Sequence, residues 1–221
     1  MSGNIQTLAS TQIAAAGGSI TFDNASATAG VGNGARTVSF TVATQSNRVL
    51  LVDVTYFDVG GRGISGVTYN GDALALLDQQ LNSSGYGSSE RWWIIAPDQG
   101  TFDAVVTLTG PSGEYVISPS SWYNVNQATP FGTTVGAEGN STTPSVDISS
   151  AAGEVVVATI GAANATSITT GTGQTQRSTA NDAGQIFGEV SSEAGAGTVT
   201  MSGTFGASYL WSIIGTPLKP V

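Results

Sequence analysis

From about residue 18 onward the chain is a succession of short apolar or alternating runs, each cut off by Gly, Asn, Ser or Pro. Runs with period two fold as strands, and the breakers between them are turn formers. Helical periodicity is almost missing. Its best candidate, "DALALLDQQL" (72–81), reads better as a turn into a strand. Strands are expected near 18–23, 36–44, 48–57, 64–69, 73–79, 90–96, 102–109, 113–123, 144–149, 153–161, 166–170, 174–178, 184–191, 196–203 and 207–216. Short strands at this spacing predict an all-β fold, a β-sandwich of jelly-roll-like layout.

The order of parts occurs twice. "RTVSFTVATQSNRVLLVDVTYF" (36–57) is echoed by "PSVDISSAAGEVVVATIGA" (144–162), and "ISGVTYNG" (64–71) by "ATSITTGTG" (165–173). "GTFDAVVTLTGPSGEYVISPSSW" (100–122) is echoed by "GAGTVTMSGTFGASYLWSIIG" (195–215). Candidate halves are therefore 19–125 and 144–221, joined by a polar, Gly-rich segment with a β-like stretch of its own. Val52–Phe57 and Val155–Ile160 are apolar on both strand faces. That pattern suits central strands covered on both sides and favours one sandwich domain over 19–221. Residues 1–18 are small, polar and weakly patterned, the character of a terminal arm. Ile5, Leu8 and Ile13 give such an arm anchors for a neighbouring subunit.

Composition removes several function classes. The 221 residues contain neither Cys nor His. Disulfides, thiolate or imidazole metal sites and His-dependent nucleophilic triads are therefore excluded. Net charge is −9, and the six basic residues are scattered singly, so no basic stripe exists to contact nucleic acid. No run approaches the ~20 apolar residues of a membrane helix. The N-terminus lacks the charged and apolar regions of a signal peptide, which leads us to expect synthesis in a cytoplasm. No cofactor is expected.

The carboxylates offer two candidate pairs for acid–base work, Asp53 with Asp58 and Glu189 with Glu193, although chance supplies such pairs in any chain with 15 acids. Asx-rich turns at 23–26, 69–72 and 178–184 lack regular calcium-loop spacing and read first as turn formers. "GVGNGA" (30–35) and "DVGGRG" (58–63) precede no helix, so they read as exposed hairpin loops rather than phosphate cradles. Arg62 at the tip of the second is then a candidate contact, as is Tyr86 between the glycines of "NSSGYGSSE". In "SSERWWIIAP" (88–97) the two tryptophans of one strand must point to opposite faces. Trp92 is assigned to the main core. Trp93 must lie under a loop, the other half of the chain or a neighbouring subunit, and is a further candidate contact.

The series Val67, Tyr69, Gly71 and Leu74, then Trp92 and Pro97, Gly100 and Thr101, and Trp122, Pro130, Phe131 and Gly132 resembles a β-sandwich module of bacterial surface proteins and phage virions. The resemblance spans about 36–216 and rests on packing and turn residues. In its virion form it is similar to phage capsid decoration (cement) proteins. That resemblance implies a non-enzymatic structural protein, often trimeric. It would bind the major capsid protein on the virion surface and stabilise the head. The alternative is a carbohydrate-binding or adhesive module of a tail, fibre or cell surface, for which the tryptophan pair and Tyr86 are the features to test.

Overall fold

A computed structural model describes residues 18–58 and 60–221; Ile5, Leu8 and Ile13 lie outside them. The described residues form strands and no helix. The first set is β1 (Thr21–Ala25), β2 (Thr28–Val42), β3 (Val49–Tyr56), β4 (Gly63–Tyr69), β5 (Asp72–Ala73), β6 (Ala75–Gln80), β7 (Ser88–Ile95) and β8 (Gly100–Tyr123). The second is β9 (Val135–Ser141), β10 (Ser145–Ser149), β11 (Val155–Ala163), β12 (Thr169–Thr170), β13 (Thr175–Asp182), β14 (Ile186–Ala194), β15 (Thr198–Thr204) and β16 (Tyr209–Leu218). The all-β sandwich expected from the sequence is present, with antiparallel pairing throughout.

Strand pairing stays within each set, and only isolated bridges, Val125 to Pro220 and Phe131 to Leu218, cross between them. In the second set β10-β15-β12 forms an outer sheet and β13-β14-β11-β16-β9 an inner one. The first set repeats this plan. The beginning of β8 lies between β4 and the end of β2, while its end lies beside β3, which continues to β7 and β6. Long β2 and β8 thus each do the work of two strands, β9 with β10 and β15 with β16. They cross from outer to inner sheet through an irregularity between Gly32 and Gly34. "GVGNGA" is therefore inside a bent strand and not an exposed hairpin loop. A Cβ on Gly30 would come 2.9 Å from the Tyr115 hydroxyl, so any larger residue there would have to displace that side chain.

Register aligns the two sets residue by residue. Val49 pairs with Ile95 and Trp122; Val155 pairs with Ala194 and Leu218. Glu90 then corresponds to Glu189, Arg91 to Val190 and Trp93 to Ser192. The bulges agree as well. Leu77 interrupts the pairing of β6 with β7 where Arg177 interrupts that of β13 with β14. The sequence echo is thus a repeated topology.

Each set has its own core. Val38, Phe40, Val52, Val67, Trp92 and Val106 belong to the first, and Ile148, Ile160, Phe187, Met201, Trp211 and Ile213 to the second. The inner sheets then pack face to face through two further clusters, one around Leu51, Trp122, Val157, Val190 and Leu218, the other around Val116, Ala163 and Ile186. The order across the molecule is outer sheet, inner sheet, inner sheet, outer sheet. The two-faced apolarity of β3 and β11 follows from this, since one face meets its own outer sheet and the other meets the partner half. The contacts are reciprocal: β7 faces β16 and the equivalent β14 faces β8, while β6 faces β9 and β13 faces β2. That reciprocity defines a pseudo-two-fold axis between β3 and β11, the relation of an isologous dimer made in one chain.

Two tight hairpins show the turn chemistry. Asn70 and Gly71 both have positive φ (50° and 89°), as do Ala183 and Gly184 (44° and 77°). Paired positive φ values at the two central positions are those of type I′ turns, whose twist matches the flanking strands. The Asx-rich stretches at 69–72 and 178–184 serve these turns.

Candidate binding site at the junction of the two halves

The centre of the junction is polar and fully used. Arg91 grips Asp53 with Nε to Oδ1 at 2.7 Å and Nη2 to Oδ2 at 3.1 Å, and its Nη1 donates to the Val157 carbonyl of the other half at 2.8 Å. Ser89 and Ser212 share a hydrogen bond of 2.7 Å across the junction, and Ser212 donates to the Gly87 carbonyl at 2.6 Å. Asn82 donates to the Trp211 carbonyl at 2.9 Å. A buried charge without such partners would cost several kcal/mol, roughly 3–5 when one member of a pair is removed. Asp53 is thereby committed to holding the halves together rather than paired with Asp58.

The other sequence-flagged acids are also kept apart. Glu189 and Glu193 are four residues apart on β14. Strand rise puts their Cα atoms roughly 13 Å apart, and Glu193 lines the junction cavity described below while Glu189 does not. Glu189 is buried in the second core, accepting from Gln176 Nε2 at 2.9 Å and from the Thr170 hydroxyl at 3.1 Å. Its equivalent Glu90 is buried in the first core, accepting from the Tyr56 hydroxyl at 2.6 Å and from Trp92 Nε1 at 2.9 Å. Burial pushes both carboxyls above the usual glutamate value, against the pull of these donors. Burial and the adjacent Glu90 carboxyl push the Tyr56 phenol up, so it remains a donor. Among the described residues no group of three or more acids is placed to hold a metal ion.

The predicted contact residues fall in different places. Trp93 is half-buried, its ring edge-to-face with Phe131 at 4.9 Å between centroids. The cover over Trp93 is thus supplied by the same chain, from the connector to the second half. Arg62 is only 7% exposed and is not the tip of an exposed loop. Its Nη1 donates to the carbonyls of Phe57 at 2.9 Å and Glu114 at 3.1 Å, tying the β3–β4 loop to the bend of β8. Tyr86 remains 41% exposed, its ring edge-on to Phe57 at 5.1 Å. Arg62 and Tyr86 both meet Phe57, while Trp93 lies apart against Phe131.

A cavity of about 330 Å³ opens at the junction, lined by Phe22, Trp122, Val155, Thr175, Arg177 and Ser192, with Glu193 on its border. Phe22 packs edge-to-face on Trp122 at 5.1 Å. The Arg177 guanidinium lies over both rings, 4.3 Å from the Phe22 centroid and 5.5 Å from that of Trp122. Its Nε donates to Ser192 Oγ at 2.8 Å. Burial holds its pKa below the ordinary arginine value. A cation on an aromatic face is stabilised by the ring quadrupole, which partly offsets that desolvation.

The cavity has a pseudo-symmetric counterpart that is filled. There Leu77 stands for Arg177, Trp93 for Ser192, Val49 for Val155 and Leu218 for Trp122, with Phe131 in the place of Phe22. Ser192 in place of Trp93 removes an indole, and Trp122 in place of Leu218 and Arg177 in place of Leu77 return part of that volume. Sequence reasoning missed Arg177, Phe22 and Ser192 because the lining comes from five strands, two of them far from the rest in sequence. The available signal was the alignment of "RWWII" with "VSSEA", which sets a tryptophan against a serine. No known protein family model, curated protein or solved structure matches the chain.

Proposed function

We propose that the protein is a structural, partner-binding β-module, and specifically a decoration protein on the outer surface of a phage head. It would bind across capsid subunits and stabilise the assembled state by mass action, since it binds that state alone. The sequence resemblance supports this reading. The observation that carries it is the division of labour between interior and surface. Asp53, Glu90, Arg91 and Glu189 of the strands are turned inward, where their hydrogen bonds tie the strands and the two halves together. The outer sheets face solvent with uncharged hydroxyl ladders, Thr37, Ser39 and Thr41 on one and Thr198, Thr200 and Thr204 on the other. Thr41 is bonded to Thr101 at 2.8 Å and Thr200 to Asp147 at 2.6 Å, so these ladders are pre-ordered. A pre-ordered, hydroxyl-rich, two-sided surface suits docking between copies of a shell protein, because little side-chain entropy is lost on contact.

The test is immuno-electron microscopy of particles from the culture that makes the protein. Label over the head surface is expected. Label absent from particles, or confined to tails, overturns the reading. Removing residues 1–18 tests the arm. Loss of head labelling with an unchanged melting curve is expected, and undiminished labelling removes the arm from the account.

A further inference from the structure

We propose that the junction cavity receives an aromatic side chain, a tyrosine or tryptophan, presented by a partner polypeptide. The claim goes beyond the decoration reading and stands on separate observations. The fold itself shows what this position accepts: in the equivalent place of the other half an indole, Trp93, sits edge-to-face against Phe131. In the cavity the same position holds only Ser192, and Phe22 lines the space with Trp122 edge-to-face to it and Arg177 over its ring.

Arg177 gives the vacancy a chemistry. One face of its guanidinium rests on Phe22, and the group borders the cavity. A planar guanidinium stacks on aromatic rings as well as donating hydrogen bonds, so a ring entering here completes a ring–guanidinium–ring layer. The hydroxyls of Ser192 and Thr175 line the same space and can meet the O–H or N–H of the incoming ring. Glu193 at the border disfavours a fully anionic ligand such as phosphate. Among the described residues Arg177 has no carboxylate within ion-pair distance. The guanidinium is therefore available for stacking.

The experiment uses the full chain and N-acetyl-L-tyrosinamide as probe, followed by NMR at the Arg177 Nε–H and the Val155 methyl groups. Saturable shifts at both are expected. Arg177→Leu combined with Ser192→Trp installs the residues of the filled counterpart and should abolish the shifts. Arg177→Lys keeps the charge but loses the plate and should weaken binding several-fold. It also keeps the claim testable if the double variant fails to fold. The proposal is overturned if the probe produces no shifts, if the Val155 methyl shifts, the readout left in the variants, persist unchanged in Arg177→Lys or in the folded double variant, or if methyl glucoside shifts the native signals and tyrosinamide does not. Head labelling is read on particles and tyrosinamide binding on the isolated chain, so either result can fail without the other.

Discussion

Thr55 and Gly161 are equivalent residues of the two halves, and they meet each other where the pseudo-two-fold axis passes. A Cβ on Gly161 would overlap Thr55 Cγ2 and come 2.7 Å from Ser89 Oγ. The inner sheets can approach this closely only because one of the two equivalent positions lacks a side chain.

Gly161→Thr should therefore destabilise the fold by about 2–3 kcal/mol, the scale of overpacking in a filled core. Adding Thr55→Gly moves the side chain to the other side of the axis and should recover most of the loss. Urea denaturation of the single and double variants checks this. Equal stability of the two variants would show that the contact does not set the sheet spacing.

Arg91 and Asp53 give a second asymmetric pair. Asp53→Val leaves a guanidinium buried and unpaired and should cost roughly 3–5 kcal/mol. Replacing both with the residues of the second half, Asp53→Thr with Arg91→Val, should be much milder, because Thr159 and Val190 already fill the equivalent places. A double variant as damaged as the single one would mean that the link from Arg91 to the Val157 carbonyl matters more than the ion pair.

The buried glutamates fix a pH dependence. Glu90 and Glu189 have folded pKa values above the unfolded value of 4.5. The folded state then binds more protons than the unfolded state in that window, so ∂ΔG/∂pH is negative there. Their contribution is fully present below 4.5 and is lost as pH rises through the folded values. Urea midpoints should fall as pH rises above 4.5, and Glu90→Gln with Glu189→Gln should flatten the fall. Gln suits both sites: its carbonyl can accept from Trp92 or Gln176 while its amide donates to Tyr56 or Thr170. A native midpoint that rises over this range contradicts the account.

Trp93→Ser should open a second cavity, the counterpart of the one beside Ser192. Phe131 loses its edge partner, and a cost of about 2–3 kcal/mol is expected, less than for a fully buried tryptophan. Differential scanning calorimetry measures it. A variant that melts with the native protein would mean that Phe131 and Leu77 collapse into the space.

The strands were legible wherever side chains alternate, as in "TVSFTV" and "SVDIS". The stretches that escaped, Thr28–Ala35 and β9, are rich in Gly, Ala and Asn, which carry no period. Turn residues were legible because Asn-Gly and Ala-Gly answer to local backbone sterics. The junction was half legible. Two apolar faces on β3 and β11 announced cover on both sides, but nothing local says that the cover is the chain's own second half. Arg62 escaped for a related reason, since the bend of β8 that buries it is a long-range event. The cavity was not legible residue by residue, because Phe22, Trp122, Arg177 and Ser192 acquire a common environment only through stacking.

The mismatch between Trp93 and Ser192 also gives the molecule a direction. A true two-fold dimer presents every feature twice, so a surface cannot distinguish its two ends. Here fusion of the halves has let one junction close while the other stays open. Each molecule has a marked end, and an array of such molecules can be laid down with a defined polarity.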